Sequence, residues 1–186
     1  MDEERAAYLD LVLVGGREPT TIVQVPYDPR WPLRFHDLAA RVHRALGPAA
    51  LAVEHIGSTA VAGLPAKPIV DMLLLVADVG DEPAYVPALE ASGFALRVRE
   101  ERHRMLRTAA RDVHLHVYEP GQPDVRDYLD LRDWLRASAA DRDLYAATKA
   151  RLARQAWVDM NEYADAKTDT VRQILGRARA WRCGPG

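Results

Sequence analysis

The stretch from His55 to Val76, HIGSTAVAGLPAKPIVDMLLLV, holds the residue types from which a phosphate or metal site is built. A short strand runs into Gly57-Ser58-Thr59, and a second strand places Asp71 among Val70, Met72, Leu73 and Leu74. A glycine after a strand lets backbone amides approach an anion, and the Ser58 and Thr59 hydroxyls add donors. An ordinary turn would use the same residues, and Asp71 weighs against that reading. A carboxylate inside an aliphatic strand is costly unless a cation or hydrogen-bond donors compensate it. Asp71 therefore reads as functional.

A second signal lies in the basic residues. Of 25 lysines and arginines, only Lys67, Lys149 and Lys167 are lysines, which leaves 22 arginines beside 30 alanines. Arginine is the default surface cation here, so a lysine kept against that bias marks a place where a compact point charge suits a task. Chance survival of three scattered lysines is the competing reading. Six arginines between Arg97 and Arg111, broken by Glu100 and Glu101 and followed by Asp112, fit either a solvated hairpin face or a rim for a phosphorylated or acidic substrate. His36, His43 and His103 have no evident partner and read as surface residues. Trp134 and Trp157 read as packing residues.

These candidates must be positioned by one fold. With 186 residues, 48% hydrophobic, and a net charge of -2, the chain is long enough for one core and short for two. The near-neutral charge argues against partners such as bulk nucleic acid or an anionic membrane. The longest apolar run, Ile69 to Ala77 interrupted by Asp71, is far below the ~20 residues of a membrane span. The acidic start MDEER is unlike a signal peptide, so a cytoplasmic location is expected. Cys183 is the lone cysteine, which excludes an intrachain disulfide or a cysteine-based zinc cluster.

Periodicity predicts a short helix in the first 17 residues ending at Gly15-Gly16, then an edge strand from Thr20 to Val25. A helix opening at Asp28-Pro-Arg-Trp-Pro carries Phe35, Leu38, Val42 and Leu46 at helical spacing. Strands follow at Ala52 to Ile56 and Ile69 to Val76, the latter apolar enough to be buried on both faces. A short helix is expected at Pro83 to Ser92, and strands at Phe94 to Arg99, Arg104 to Thr108 and Val113 to Tyr118. After Pro123 the pattern is helical, with Ser138/Asp141 and Asp159/Glu162 as capping pairs and Tyr163, Val171, Ile174, Leu175 and Trp181 on the buried face of the last helix. Helices after a mixed strand set mean an α+β architecture.

His55 to Thr59, Gly63 to Asp71, His114-Leu115-His116 and Tyr163 to Lys167 together resemble the GrpB-like family. The likeness runs from about Thr20 to Leu175, and helical segments from Leu131 and Tyr145 share it. The resemblance implies a nucleotidyltransferase-like mixed β-sheet with a C-terminal helical layer. It sets residues 1–19 apart as an N-terminal appendage and 20–182 as the GrpB-like domain. Domains of this family also occur joined to dephospho-CoA kinase. Ala62 stands where the family often has proline.

Typical nucleotidyltransferases place two carboxylates two residues apart after the Gly-Ser turn, both on one strand face, for divalent metals. Here the second position is Leu73. The strand expected to supply a third carboxylate corresponds to His114-Leu115-His116, whose alternate residues face one side. Three readings follow from the resemblance. In the leading one, an NTP donates its nucleotidyl group to a small molecule. Gly57, Ser58 and Thr59 hold phosphate, Asp71 binds a divalent metal (Mg, Mn or Zn), His114 or His116 supplies a ligand or base, and Lys67, Lys149 and Lys167 neutralise charge. The second is a catalytically degenerate module that binds a phosphorylated or CoA-like ligand, which Leu73 favours. The third is a metal-dependent enzyme of another reaction type built on Asp71, His114 and His116. A structural histidine pair is the bland alternative to all three.

Overall fold

Alternation along two parallel strands sets the architecture seen in a computed structural model, which describes residues 3–182 and 184; Cys183 lies outside them. Strands β1 (Ala52–Ile56), β2 (Val70–Leu75), β3 (Phe94–Glu100), β4 (His103–Thr108) and β5 (Val113–Tyr118) form one mixed sheet in the order β1-β2-β5-β4-β3. The β2/β5 pair is parallel and pairs Asp71 with His114 and Leu73 with His116. The other pairs are antiparallel. Because side chains alternate, Val70, Met72 and Leu74 share one face with Val113, Leu115 and Val117, leaving Asp71, His114 and His116 together on the other.

The first face is the main core. Helix α1 (Glu3–Val12) precedes α2 (Trp31–Leu46), which lays Trp31, Leu38, Val42 and Leu46 on this face beside Leu89 of α3 (Val86–Ala91). Met72, Leu74, Leu106 and Leu115 have no exposed surface, and each such side chain contributes about 1.5–3 kcal/mol. Helices α4 (Pro123–Ala137), α5 (Ala139–Leu152), α6 (Met160–Asp165) and α7 (Thr168–Arg182) form the layer over the second face. Their own core joins Leu135, Tyr145 and Ile174 to Val61 and Leu64, next to the β1–β2 connection. Ser138 caps α5 by accepting the Asp141 N–H, and Asp159 caps α6 by accepting those of Asn161 and Glu162, as their spacing predicts. Among the described residues, no helix is long and apolar enough to cross a membrane.

Three expectations are corrected. Thr20 to Val25 is not a strand: only Val25 bridges, to Ala66, and Pro26 has no N–H with which to extend a ladder. Ile22 instead packs on Leu152 and Tyr163, and Thr20 and Thr21 line a secondary cavity of about 350 Å³. The last helix is divided at Ala166, with Tyr163 fully enclosed in α6 and Lys167 just before α7. Trp181 is 52% exposed, resting against Trp134 rather than in the core.

Five of the six arginines in the arginine-rich segment are committed to intrachain partners, and Arg102 is exposed. Arg97 donates to the Val14 and Gly16 carbonyls, Arg99 and Arg104 both bind Glu82, and Arg107 and Arg111 bind Glu18. Trp134 and Trp157 are packed through their indoles as expected, Nε1 donating to Asp141 and to the Leu152 carbonyl. Helix α1 buries Leu9 and Val12, with Leu13 after it, against Val98 of β3.

Candidate functional site

The turn after β1 is shaped by its one residue without a side chain. Gly57 has φ +69°, and a Cβ there would lie 2.9 Å from the Asp71 Cβ, so both backbone sterics and the approach of β2 demand glycine. The short 3₁₀ turn Ser58–Ala60 follows. Its base is clamped: His55 Nε2 and Thr59 Oγ1 are 3.0 Å apart, the His55 ring stacks on Phe35, and Arg136 donates to the Ala60 carbonyl. Burial pushes His55 down to about 4, so it serves as a neutral hydrogen-bonding group. The Thr59 hydroxyl is thus buried and engaged, whereas Ser58 is half-buried and lines the main cavity.

That cavity, about 530 Å³, lies between the second sheet face and the C-terminal layer. It is within the usual size range of small-molecule pockets. Gly57, Ser58, Thr59, Lys67, Asp71, His114, His116, Lys149 and Lys167 all line it. Lys149 Nζ is 2.9 Å from Ser58 Oγ and also donates to the Pro65 carbonyl. Lys67 and Lys167 lie over the Tyr163 ring, 5.2 and 4.5 Å from its centroid. Burial, then Lys167 and Lys67, push Lys149 down to about 7; burial, then Lys167, push Lys67 down to about 8. Burial lowers Lys167 as well. Burial and mutual repulsion thus disfavour the charged form of these lysines, a condition that an entering anion relieves.

Asp71 supplies counter-charge. Burial pushes its carboxyl up, but the His114 hydrogen bond, with His116 and Lys67 behind it, more than offsets this and leaves it below the usual carboxylate range. Its Oδ1 is 3.3 Å from His114 Nδ1, and its side chain keeps 30% exposure to the cavity. Asp71, His114 and His116 each offer one ligand atom, all within 4.8 Å of one another. Metal bonds to imidazole and carboxylate are about 2.0–2.2 Å, so small side-chain rotations would let this set close on one ion. Burial, then His103, pushes His116 down to about 3, keeping it neutral. A neutral imidazole retains the lone pair a metal needs.

Residues 21–177 match the family described as GrpB protein. The chain belongs to the GrpB family. A UPF0157 protein of Streptomyces coelicolor is 51% identical over 170 residues, covering 91% of this chain and 91% of its own. The crystal structure of the conserved protein GrpB from Enterococcus faecalis superposes with a TM-score of 0.74 and 27% identity, over 86% of this chain and 99% of that one. A chain of the GLD-2/RNP-8 complex matches with a TM-score of 0.55 and 15% identity, over 87% of this chain and 62% of that one, a likeness of fold alone. The GrpB domain thus joins a five-stranded mixed sheet to a C-terminal helical layer.

Within the GrpB sheet, Leu73 has no exposed surface and packs with Ile56, Tyr118 and Val125, so an apolar cluster occupies the position where a second carboxylate would stand. His36 and His43 are exposed, as expected. His103 is not a surface residue. Its ring stacks on Tyr118 at 4.6 Å, its Nε2 is 3.1 Å from His116 Nδ1, and it lines the cavity with Glu100 and Tyr128. Alternation on β4, which opposes Met105 to His116, is the signal that could have placed it there. Tyr145, buried and pushed up to about 12 by that burial, hydrogen-bonds Ser58 from α5. It could be reached only by knowing how α5 packs.

Proposed function

We propose that this GrpB protein transfers a nucleotidyl group from an NTP to a small-molecule acceptor. One observation carries the reading: three lysines and a carboxylate–imidazole set line the same cavity. Lys67, Lys149, Lys167 and Ser58 would bind the triphosphate, their charge offsetting the negative charge that grows on the departing pyrophosphate. Asp71, His114 and His116 would hold a divalent cation, whose chemistry when bound is to polarise a phosphoryl oxygen. Two imidazoles and one carboxylate suit manganese or zinc better than magnesium, which prefers oxygen ligands. The experiment is a screen of the four NTPs, labelled at the α-phosphate, with manganese or zinc and pooled small-molecule acceptors. Pyrophosphate release with label transfer supports the reading; NTP left intact by wild type under every condition contradicts it.

Leu73 favours a second reading. Without a paired carboxylate, the same pocket would serve as a binding module for a phosphorylated or CoA-like ligand without turnover. In that case ligand protects the fold and no pyrophosphate appears. The donor set alone also suits a metal-dependent enzyme of another reaction type, for which hydrolysis of phosphate esters in the same screen is the discriminating result.

A further inference from the structure

We propose that Glu100 and His103 are positioning residues that fix the tautomer of His116, with its proton on Nδ1 and the lone pair of its Nε2 left for a ligand role, and that the N-terminal helix holds them through Tyr8. The ligand role of His116 rests on the proposed function; the tautomer does not. Glu100 Oε1 accepts from Tyr8 Oη at 2.6 Å, and Glu100 Oε2 is 2.7 Å from His103 Nδ1. An ionised carboxylate only accepts, so the proton of the second bond sits on His103 Nδ1. A neutral His103 then has its lone pair on Nε2, and the 3.1 Å bond to His116 Nδ1 takes its proton from His116. Stacking on Tyr118, with ring planes 17° apart, fixes the His103 ring.

The backbone reveals how this chain of bonds is assembled. A register shift between Leu96 and Val98 in β3 reverses the alternation, turning Val98 and Glu100 to the cavity face although Phe94 and Leu96 face the core. Glu100 pairs with His103 across the hairpin, and Met105 with His116. Tyr8 lies outside residues 21–177, so α1 adds to the site an anchor from beyond the family match. A carboxylate or imidazole behind a metal-ligating histidine orients the ring and raises its basicity, and losing it typically costs about 10–100-fold in metal affinity.

The test begins with the metal-free, full-length protein, with its histidines labelled with ¹⁵N and read by long-range nitrogen–proton correlation. Expected in wild type is protonated Nδ1 on both His103 and His116; protonated Nε2 on His116 overturns the proposal. His103→Phe, which keeps a ring in the stack, should turn His116 to the Nε2–H form and weaken zinc binding about 10–100-fold. An unchanged His116 tautomer in this variant also overturns it. Tyr8→Phe removes one hydroxyl, and should shift the His103 and His116 nitrogen signals and weaken zinc by a few-fold; unmoved signals would remove α1 from the proposal. Should wild type bind neither zinc nor manganese while its His116 proton sits on Nδ1, the metal reading fails and the positioning pair stands.

Discussion

The Asp71 side chain occupies the space that a Cβ on Gly57 would need: such an atom would lie 2.9 Å from Asp71 Cβ and 3.1 Å from its Cγ. The turn that presents Ser58 and the strand that presents Asp71 are therefore mutually fitted. Glycine at position 57 is set by two independent demands, the positive φ and this contact.

Gly57→Ala should destabilise the protein by about 1–3 kcal/mol, the usual cost of a left-handed non-glycine residue plus crowding. A chain of this size then loses roughly 2–12 °C in Tm. Gly63→Ala is the control, because Gly63 also has a positive φ, +76°, yet nothing lies within 4 Å of its Cβ position. Thermal melts of both variants should show the larger loss at Gly57. Equal losses would mean that the Asp71 contact is easily relaxed.

Lys149 carries a pH signature. Its folded value, about 7, is below its unfolded value near 10.5, so the unfolded chain binds more protons between those limits. Stability should accordingly rise with pH from about 7 to 10.5, by at most about 1.4 kcal/mol per pH unit from this group. Lys149→Met should flatten that rise. Because an anion favours the charged amine, pyrophosphate binding at pH 8 should take up protons, measured as a dependence of binding enthalpy on buffer ionisation. Proton-neutral binding, or an unaltered stability slope in the variant, would contradict this account of Lys149.

At the acid end, Glu82 is the test group. The Arg99 hydrogen bond, then Arg104, hold its carboxyl down at about 2, below its unfolded value of 4.5. Its contribution is thus full above about 4.5 and is lost as pH falls toward 2. Glu82→Gln should cost on the order of 1 kcal/mol at pH 7, a figure reduced by solvent screening and further by salt. Denaturant titrations of the two proteins should converge as pH approaches 2. A gap that stays constant from pH 7 to 2 would show that charge is not its origin.

What the sequence made legible was alternation in unbroken strands. Val70 to Leu75 and Val113 to Tyr118 have regular pleats, so pairing them as neighbours is enough to bring Asp71, His114 and His116 to one face. The three lysines stood out by rarity alone, and all three line the cavity. Glu100 escaped notice because the shift in β3 reverses the pleat at a point with no glycine or proline to mark it, whereas His103, on the regular β4, needed only the pairing of β4 with β5. The division at Ala166 was hidden for a similar reason: Tyr-Ala-Asp-Ala-Lys contains no helix breaker. Thr20 to Val25 had the β-branched composition of a strand, but composition does not supply a partner edge.

In the proposed function the cavity binds a nucleotide together with a divalent cation. The most direct test of this is a calorimetric titration of a non-hydrolysable NTP analogue into wild type and Asp71→Asn, each with and without manganese. Expected is at least tenfold tighter binding with manganese for wild type, and for Asp71→Asn the loss of that enhancement in a chain that still folds. Affinity that is the same with and without manganese, and the same in Asp71→Asn, would contradict it.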